Sequence, residues 1–311
     1  MVKEYDIITA LDMCVDFLVH LGGVIPEFGQ KEQIVCDYEV ELGGSCAIFA
    51  CQAAKLELNT KGIGIAGEDA FGALVLQKLM QAGVKTDNIR IDRLMKTGMG
   101  AALCKEDGDR AILTYSGTID GVLPEDLTQD ILENTRHVHV GSYYLMKKLQ
   151  PHYPEILAIA RKAGATVSLD TNWDPDEAWD GGIWDVLPYV DIFMGNEYEA
   201  RAITRKDTIK EAIEVLSSKV PIIVIKMGEK GAVVYADGKE YTQPALTVKV
   251  VDAVGAGDSF DAGFVYGYLN RYDWQKCLQI GCLCGSYNTT RAGGIAGQLR
   301  REQLHDLLEV L

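Results

Sequence analysis

The sequence predicts a layered α/β fold built on a mostly parallel sheet. Short β-rich runs alternate with helical patterns over most of the 311 residues, as in folds whose strands are joined by helices. The composition agrees, because 48% hydrophobic and 24% charged residues are close to the average of soluble globular proteins. A chain of this length can bury a large core. We therefore expect one large domain over residues 1–311, with a small appendage.

The predicted elements follow one another with regular spacing. The strand candidates cover residues 5–11, 61–67, 137–141, 165–170, 190–195 and 221–228. The helical patterns cover residues 45–58, 70–82, 151–163, 197–204, 208–219, 257–270, 274–290 and 301–310. No internal repeat or low-complexity linker interrupts them.

Two segments break the alternation because neither contains a helical pattern. The first segment, residues 12–42, holds alternating apolar runs over residues 17–42. The second, residues 97–120, is typical over residues 97–118 of a β-hairpin with Asp107-Gly108 at its turn. We interpret both as strands of a small second sheet that acts as a lid over the main domain. Exposed strand edges in such a lid favour pairing of two chains, so a homodimer is expected.

The charge balance and the hydropathy pattern limit the possible partners. The chain has 30 Lys and Arg against 45 Asp and Glu, a net charge of −15, so no nucleic-acid partner is expected. The apolar segment of residues 7–19 contains two aspartates and lacks the features of a signal peptide. No run reaches the roughly 18 apolar residues that span a bilayer. We expect no membrane partner and a cytoplasmic location.

Cysteine and histidine are the residues that most often suggest a metal site. No Cys-x-x-Cys spacing or neighbouring His accompanies the cysteines, so buried free thiols are expected. The eight are Cys14, Cys36, Cys46, Cys51, Cys104, Cys277, Cys282 and Cys284. His137 and His139 share one face of a predicted strand, but a structural role is favoured because no third ligand is in view.

The most informative segment is VDAVGAGDSFDAGF, residues 251–264. Gly255, Ala256 and Gly257 let the backbone approach a ligand, and a helical pattern begins directly after them. A helix N-terminus of this kind presents free N–H groups and the positive end of the helix dipole to phosphate oxygens. Asp258 then lies where a carboxylate can accept a proton from an attacking hydroxyl. The alternative is an acid that only complements the dipole, and two further aspartates nearby weaken it.

This segment resembles the C-terminal signature of the ribokinase (PfkB) family of carbohydrate kinases. The pattern D-x-x-G-A-G-D-x-F-x-A-G-F is matched over residues 252–264. Gly43 and Gly44 look like the N-terminal di-glycine of the family, residues 64–72 like its G-x-x-G-x-D-x-x-G segment, and residues 196–199 like its N-x-x-E motif. The resemblance implies a ribokinase-like three-layer α/β/α domain that uses ATP to phosphorylate a sugar. No Walker-type G-x-x-x-x-G-K-[ST] loop is present.

The resemblance also implies roles for individual residues. Asp258 would be the catalytic base, and the backbone from Gly255 through Ala256 to Gly257 would be the anion hole. Asn196 and Glu199 would help to organise phosphate and Mg²⁺, with Glu199 on the metal side. ATP and Mg²⁺ are the implied cofactors, and a monovalent cation is a further candidate.

The predicted sugar site is acidic. Asp12 and Asp16 are four residues apart, so both should face one side just past the first strand. In the family the counterpart of Asp16 binds sugar hydroxyls, and carboxylates suit neutral polyols while repelling anionic sugars. We predict sugar contacts from Asp12, Asp16 and the backbone of Gly43 and Gly44, although Asp12 can also be read as a solvated acid. A neutral monosaccharide is favoured.

The predicted nucleotide site lies elsewhere. Lys226 and Gly228 end a buried strand at its C-terminal end, where open α/β sheets bind ligands, so both are candidates for ATP phosphate contact. A surface lysine is the alternative interpretation. Asn288, in YNTTRAGG, resembles the adenine-side segment of the family and can otherwise be read as a polar helix-end residue.

Three departures from the family pattern concern the substrate. Ile48 stands where Asn is usual, Asp174 occupies the Arg position of D-x-N-x-R, and Leu11 stands where the first strand often ends in Gly. None lies in the phosphoryl-transfer segment.

Two other functions stay open. A nucleoside kinase on the same fold would need aromatic side chains around a base, and the candidates are Phe28, Tyr38, Tyr115 and Tyr143. A non-catalytic sugar-binding regulator is the second alternative, and the presence of Asp258 disfavours it.

Overall fold

The computed structural model describes residues 3–106 and 109–310. Within these residues the strands are β1 Tyr5–Ala10, β2 Cys14–Gly22, β3 Asp37–Gly43, β4 Thr60–Gly67, β5 Lys85–Asp92, β6 Gly98–Lys105, β7 Arg110–Tyr115, β8 Thr135–Val140, β9 Thr166–Leu169, β10 Ile192–Asn196, β11 Ile222–Lys226, β12 Ala232–Ala236 and β13 Lys239–Gln243. The helices are α1 Ser45–Lys55, α2 Ala70–Ala82, α3 Gln129–Glu133, α4 Tyr153–Lys162, α5 Ile183–Val186, α6 Glu197–Thr204, α7 Ile209–Ser217, α8 Ala256–Leu269, α9 Trp274–Asn288 and α10 Arg301–Val310.

The main sheet confirms the predicted α/β class. Its strand order is β13-β12-β11-β10-β9-β8-β1-β4-β5, and every pair from β11 to β5 is parallel. Strand β11 shows why its residues are apolar throughout: Ile223 and Ile225 pack with α4, α6 and α7, whereas Ile222 and Val224 pack with α1, α8 and α9. Helices therefore cover both faces of the sheet, as parallel sheets require.

The sequence missed three strands and two short helices. Strand β5 lies at the edge of the sheet and has the mixed sequence KTDNIRID, so its apolar alternation is weak. The antiparallel pair β12 and β13 is joined at Asp237 and Gly238, which both have positive φ angles of 54° and 72°. An Asp-Gly pair of this kind is a recognised hairpin signal, so these two strands were predictable.

A separate four-stranded sheet, in the order β3-β2-β6-β7, confirms the predicted second sheet. Strand β2 pairs antiparallel with β3 and parallel with β6, and β6 pairs antiparallel with β7. The predicted turn at Asp107-Gly108 lies outside the described residues. The register places Cys14 opposite both Gly43 and Gly98, so the start of β2 is held between two glycines near the end of β1.

The described cysteines are all free, and six of them are buried as expected. Cys36 is exposed and Cys104 is half-buried, so the expectation of buried thiols was wrong for Cys36, which lies beside the edge of the small sheet. His137 and His139 are buried, and each has a ring nitrogen 2.8 Å from the Ser168 hydroxyl. In the described part of the chain, no three His, Cys, Asp or Glu side chains converge as a metal site.

The carboxyl ends of the parallel strands form one edge of the sheet, and this edge is polar. Asp12 follows β1, Ser142 follows β8, Asp170 follows β9, Asn196 ends β10 and Lys226 ends β11. Ligands of open α/β sheets bind at this edge, where loops from several strands meet. Across residues 3–106 and 109–310, no helix is both long enough and apolar enough to cross a membrane.

Candidate active site

A cleft of about 1010 Å³ lies at this edge of the sheet. It is large enough for a nucleotide, since ligand pockets commonly measure about 300–1,000 Å³. Seven residues singled out in the sequence line it: Asn196, Glu199, Lys226, Gly228, Ala256, Gly257 and Asp258. These seven residues come from three segments of the chain, 196–199, 226–228 and 256–258, which meet around one space.

The start of α8 has the geometry of an anion hole. Gly255 precedes the helix with a φ of 71°, and a Cβ there would lie 2.7 Å from the carbonyl oxygen of Gly294, so only glycine fits. No side chain caps this helix. Among the described residues, the amides of Gly257 and Asp258 have no acceptor, which leaves them available to a phosphate.

Asp252 holds the loop that leads into α8. Its Oδ1 accepts a hydrogen bond from the Val254 amide at 3.0 Å, and its Oδ2 accepts one from the Gly293 amide at 3.0 Å. The first aspartate of the signature therefore fixes the shape of the anion hole.

Asp258 lies in the first turn of α8 and faces the cleft. Burial raises the pKa of its carboxyl to about 7, and the negative charge of Asp170 contributes in the same direction, while Lys226 opposes it. A pKa near neutrality suits a general base, because the group is ionised in part and still basic enough to accept a proton.

Asn196 and Glu199 form a reciprocal cap at the start of α6. The Asn196 side-chain oxygen accepts from the Glu199 amide at 2.9 Å, while the Glu199 carboxylate accepts from the Asn196 amide at 2.9 Å and from its Nδ2 at 2.7 Å. Burial raises the pKa of Glu199 to about 7, with Asp170 adding to the effect. The N-x-x-E motif thus closes a helix terminus and presents a buried carboxylate to the cleft.

Lys226 lines the cleft as predicted, but it is an ion-paired residue and not a surface lysine. Its Nζ lies 2.7 Å from Asp170 Oδ2 and 2.9 Å from Asp261 Oδ2. Gly228, two residues on, has a φ of 58° and open space around the position of a Cβ. Phosphate contact by either residue stays a prediction.

The four residues of the predicted sugar site are neighbours. A Cβ on Gly44 would lie 2.9 Å from Asp12 Oδ1, and a Cβ on Gly43 would lie 2.6 Å from Asp16 Oδ2. Asp12 accepts hydrogen bonds from the amides of Ser45 and Cys46, both at 2.9 Å, and from the Ser142 hydroxyl. The Asp12 carboxylate therefore already accepts hydrogen bonds from the start of α1 and from Ser142. The Asp16 carboxylate has more capacity left to accept hydrogen bonds from a ligand.

Substituting Gly43 with Ala should raise the KM for the acceptor about tenfold. The added methyl group would force Asp16 out of position, and tenfold corresponds to about 1.4 kcal/mol. Gly23→Ala is the matched control, because nothing lies within 4 Å of a Cβ there. Steady-state kinetics of both variants checks this, and equal KM values would show that Asp16 can move without cost.

Asn288 and Asp174 are both buried, and their side chains hold local structure. Asn288 ends α9, which agrees with its alternative interpretation as a polar helix-end residue. Asn288 is fully buried behind the cleft, where its Nδ2 donates to the Val254 carbonyl at 2.8 Å, and Ser286 and Thr289 line the wall instead. Asp174 stands at the Arg position of the D-x-N-x-R pattern of the family. It is buried and accepts from the Trp179 amide at 2.7 Å and the Asp176 amide at 3.0 Å, so it shapes a turn.

Sequence reasoning missed Asn172. Its Oδ1 accepts from the Ser142 amide at 2.7 Å, and its Nδ2 donates to Ser45 Oγ at 2.9 Å, so it joins the ends of β8 and β9 to the start of α1. It also lines the cleft. An Asp-x-Asn sequence directly after a buried strand was the available signal, since polar residues at that position face the ligand edge.

Comparison with known proteins defines the class of this enzyme as a carbohydrate kinase. The family model "pfkB family carbohydrate kinase" matches residues 15–300. The chain belongs to the PfkB family of carbohydrate kinases.

Named relatives and solved structures agree with this family. The chain is 31% identical over 254 residues to an ATP-dependent ribose-1-phosphate kinase of Halopiger xanaduensis, with 81% of each chain covered. Its fold matches Arabidopsis thaliana ribokinase in complex with ribose and ATP with a TM-score of 0.85 at 24% identity, covering 99% of both chains. Adenosine kinase of Sinorhizobium meliloti matches with a TM-score of 0.84 at 19% identity, covering 99% of this chain and 100% of that one. The protein is a carbohydrate kinase of the PfkB family with a ribokinase-like fold.

Proposed function

We propose that this protein transfers a phosphoryl group from ATP to a hydroxyl group of a neutral monosaccharide. The observation that carries the proposal is the position of Asp258, directly beside the two unpartnered amides at the start of α8 and inside the cleft. A base and an anion hole on one helical turn are the two elements that phosphoryl transfer to an alcohol needs.

In this mechanism the Asp258 carboxylate accepts the proton of the acceptor hydroxyl as its oxygen attacks the γ-phosphoryl group of ATP. The bond between the new phosphate ester oxygen and phosphorus forms, the bond to the ADP oxygen breaks, and the proton leaves with Asp258. The amides at Gly257 and Asp258 stabilise the charge on the transferred group. Asp16 and the backbone at Gly43 and Gly44 hold the sugar.

The residues present also fit a magnesium ion. Glu199 is a buried carboxylate in the cleft, and its oxygens accept bonds only from Asn196 among the described residues, so lone pairs remain. Magnesium keeps several waters and commonly binds through one or two carboxylates and phosphate oxygens. When bound, the ion would neutralise phosphate charge. A requirement for a monovalent cation stays a prediction.

The proposal includes the roles predicted for the small sheet. Segments 12–42 and 97–120 of the single kinase domain would act as a lid over the sugar. The outer strand β7 is exposed along its whole length, with Leu113 65% and Tyr115 50% exposed, and such a strand can pair with a second chain in a homodimer. The proposal also keeps the cytoplasmic location expected from the sequence.

The acceptor class is tested by ATP consumption with ribose, fructose, adenosine and inosine. Turnover of a sugar supports the proposal, and turnover of a nucleoside alone supports the alternative on the same fold. Among the aromatic residues considered for a nucleoside, Tyr143 is fully buried and donates to the Gly181 carbonyl at 2.7 Å, so it cannot stack on a base. No turnover of any of the four would favour a binding regulator.

A neutral sugar should exceed its anionic counterpart at least tenfold in kcat/KM, a margin of about 1.4 kcal/mol. Asp12 and Asp16 place two carboxyls at the site, and a close like charge costs about 1 kcal/mol even in water. Arg110 of β7 opposes them, since it lines the cleft and lowers the pKa of the Asp16 carboxyl. Assays of fructose against fructose 6-phosphate, and of ribose against ribose 1-phosphate, check this. Faster turnover of either phosphate would overturn it.

A further inference from the structure

Three charged side chains from three different elements meet behind the anion hole. Lys226 ends β11, Asp170 follows β9 and Asp261 lies in α8, and the ammonium is 2.7 Å and 2.9 Å from the two carboxylates. The side chains of Lys226, Asp170 and Asp261 are only 15%, 5% and 1% exposed. We call these three residues the buried trio. Neither aspartate was assigned a role by the mechanism above.

The charges of the buried trio do not balance if both carboxyls are ionised, because one ammonium then faces two carboxylates. An uncompensated buried charge is costly. Asp261 Oδ1 is also buried without a hydrogen-bond partner among the described residues, which a protonated carboxyl tolerates better than a carboxylate. Burial raises the pKa of Asp261 well above its ordinary value. Burial acts in the same direction on Asp170, but Lys226 and a hydrogen bond with Asp261 bring the pKa of Asp170 below its ordinary value. A neutral Asp261 makes the trio neutral overall.

The buried trio adjoins both parts of the proposed catalytic apparatus. Asp261 is three residues after Asp258 on α8, so the two share one face of the helix. The Lys226 Nζ lies 3.5 Å from the position that a Cβ would take on Gly257, the last glycine before the base. The ammonium therefore lies against the anion hole.

We propose that Asp170 and a protonated Asp261 are positioning residues that hold the Lys226 ammonium beside Gly257, where its charge acts on Asp258 and on the phosphoryl group. The inference rests on the proposed function, since Asp258 is the base in both. Each aspartate holds the ammonium by its own contact, at 2.7 Å for Asp170 and 2.9 Å for Asp261, so replacing one of them leaves Lys226 held by the other.

The groups that face Asp258 come from several elements. Asp170 after β9 and Asp12 after β1 raise the pKa of the base beyond the effect of burial, while Lys226 of β11 and the Ser45 hydroxyl of α1 lower it. Glu199 of α6 adds negative charge beside Lys226 and raises the pKa of that lysine, together with Asp170 and Asp261. Removal of Asp170 and removal of Lys226 should therefore move the titration of Asp258 in opposite directions.

The test is the pH dependence of kcat/KM, which reports the free enzyme. The wild-type profile should fall on the acid side near pH 7, where Asp258 becomes protonated. Asp170→Asn should shift that fall about one unit lower and Lys226→Met about one unit higher, as expected for loss of one close charge. Lys61→Gln is the control, because this buried lysine pairs with Asp87 at the other end of the sheet, at 2.7 Å, and should leave the profile in place.

A second pair of variants tests Asp261. Asn keeps the shape and the hydrogen-bonding capacity of a protonated carboxyl, whereas Leu has a similar shape but cannot form hydrogen bonds. Asp261→Leu should lose at least tenfold more kcat than Asp261→Asn. Circular dichroism identifies variants that do not fold, and the comparison is then made among the remaining ones, including Lys226→Met.

The inference is overturned if the profiles of Asp170→Asn and Lys226→Met both stay in place or move in the same direction, or if Asp261→Asn is as damaging as Asp261→Leu. Failure of the proposed function has a different signature. In that case Asp258→Asn retains turnover, whatever the variants of the buried trio do.

Discussion

Replacing Asp258 with Asn is expected to lower kcat by about 10²- to 10⁴-fold while leaving ATP binding nearly unchanged. The amide side chain cannot accept the proton of the acceptor hydroxyl, but the backbone amides at the start of α8 stay in place for the phosphates. The measurement is steady-state turnover together with nucleotide binding by calorimetry.

Asp306→Asn provides the matched control for this experiment, since Asp306 is exposed on α10 and lies outside the cleft. It should behave as the wild type. Retention of more than about a tenth of the wild-type kcat by Asp258→Asn, well above the range expected for a lost general base, would remove Asp258 from the role of base.

Replacing Asp16 with Ala is expected to raise the KM for the sugar strongly, by roughly 10- to 150-fold, because a charged acceptor of hydroxyl hydrogen bonds contributes about 1.5 to 3 kcal/mol. The kcat should fall only as far as the sugar is misplaced. Burial raises the pKa of Asp16 to about 6, and the charge of Asp12 contributes in the same direction. At pH 8 the Asp16 carboxyl of the wild type is therefore ionised, so assays at that pH compare a wild type with a carboxylate and a variant without one.

Asp37→Ala serves as the control for Asp16, because Asp37 is an exposed residue at the far end of the same small sheet. Its KM values should match those of the wild type. An unchanged KM of Asp16→Ala for every accepted sugar would place Asp16 outside the sugar site.

The parts of the site that lie within one short segment were predictable from the sequence. Gly255 and Asp258 are three positions apart, and the helix that follows them fixes their relation without help from the rest of the chain. The same holds for Asn196 and Glu199, whose spacing defines a capping box. Short continuous apolar runs likewise predicted the buried strands, which are apolar on both faces.

What could not be predicted depends on contacts between distant segments. Asp170 and Lys226 are 56 positions apart, and only the parallel pairing of β9, β10 and β11 brings them together. The role of Asp174 could not be predicted for a related reason. It stands at the Arg position of the family pattern, but its carboxylate accepts hydrogen bonds from two amides of its own turn.

The start of α1 has a consequence for how this chain assembles. The residue before the helix, Gly44, offers no side-chain cap, and the carboxylate that accepts from the first amides belongs to Asp12, 33 positions earlier. The first turn of α1 is therefore completed only after β1 has docked, in contrast to α6 and α7, which carry their own caps. Since Asp12 also adjoins the di-glycine, the same contact would shape the proposed sugar site. On that proposal, a chain in which β1 has not joined the sheet lacks the site, so sugar binding requires the assembled tertiary fold.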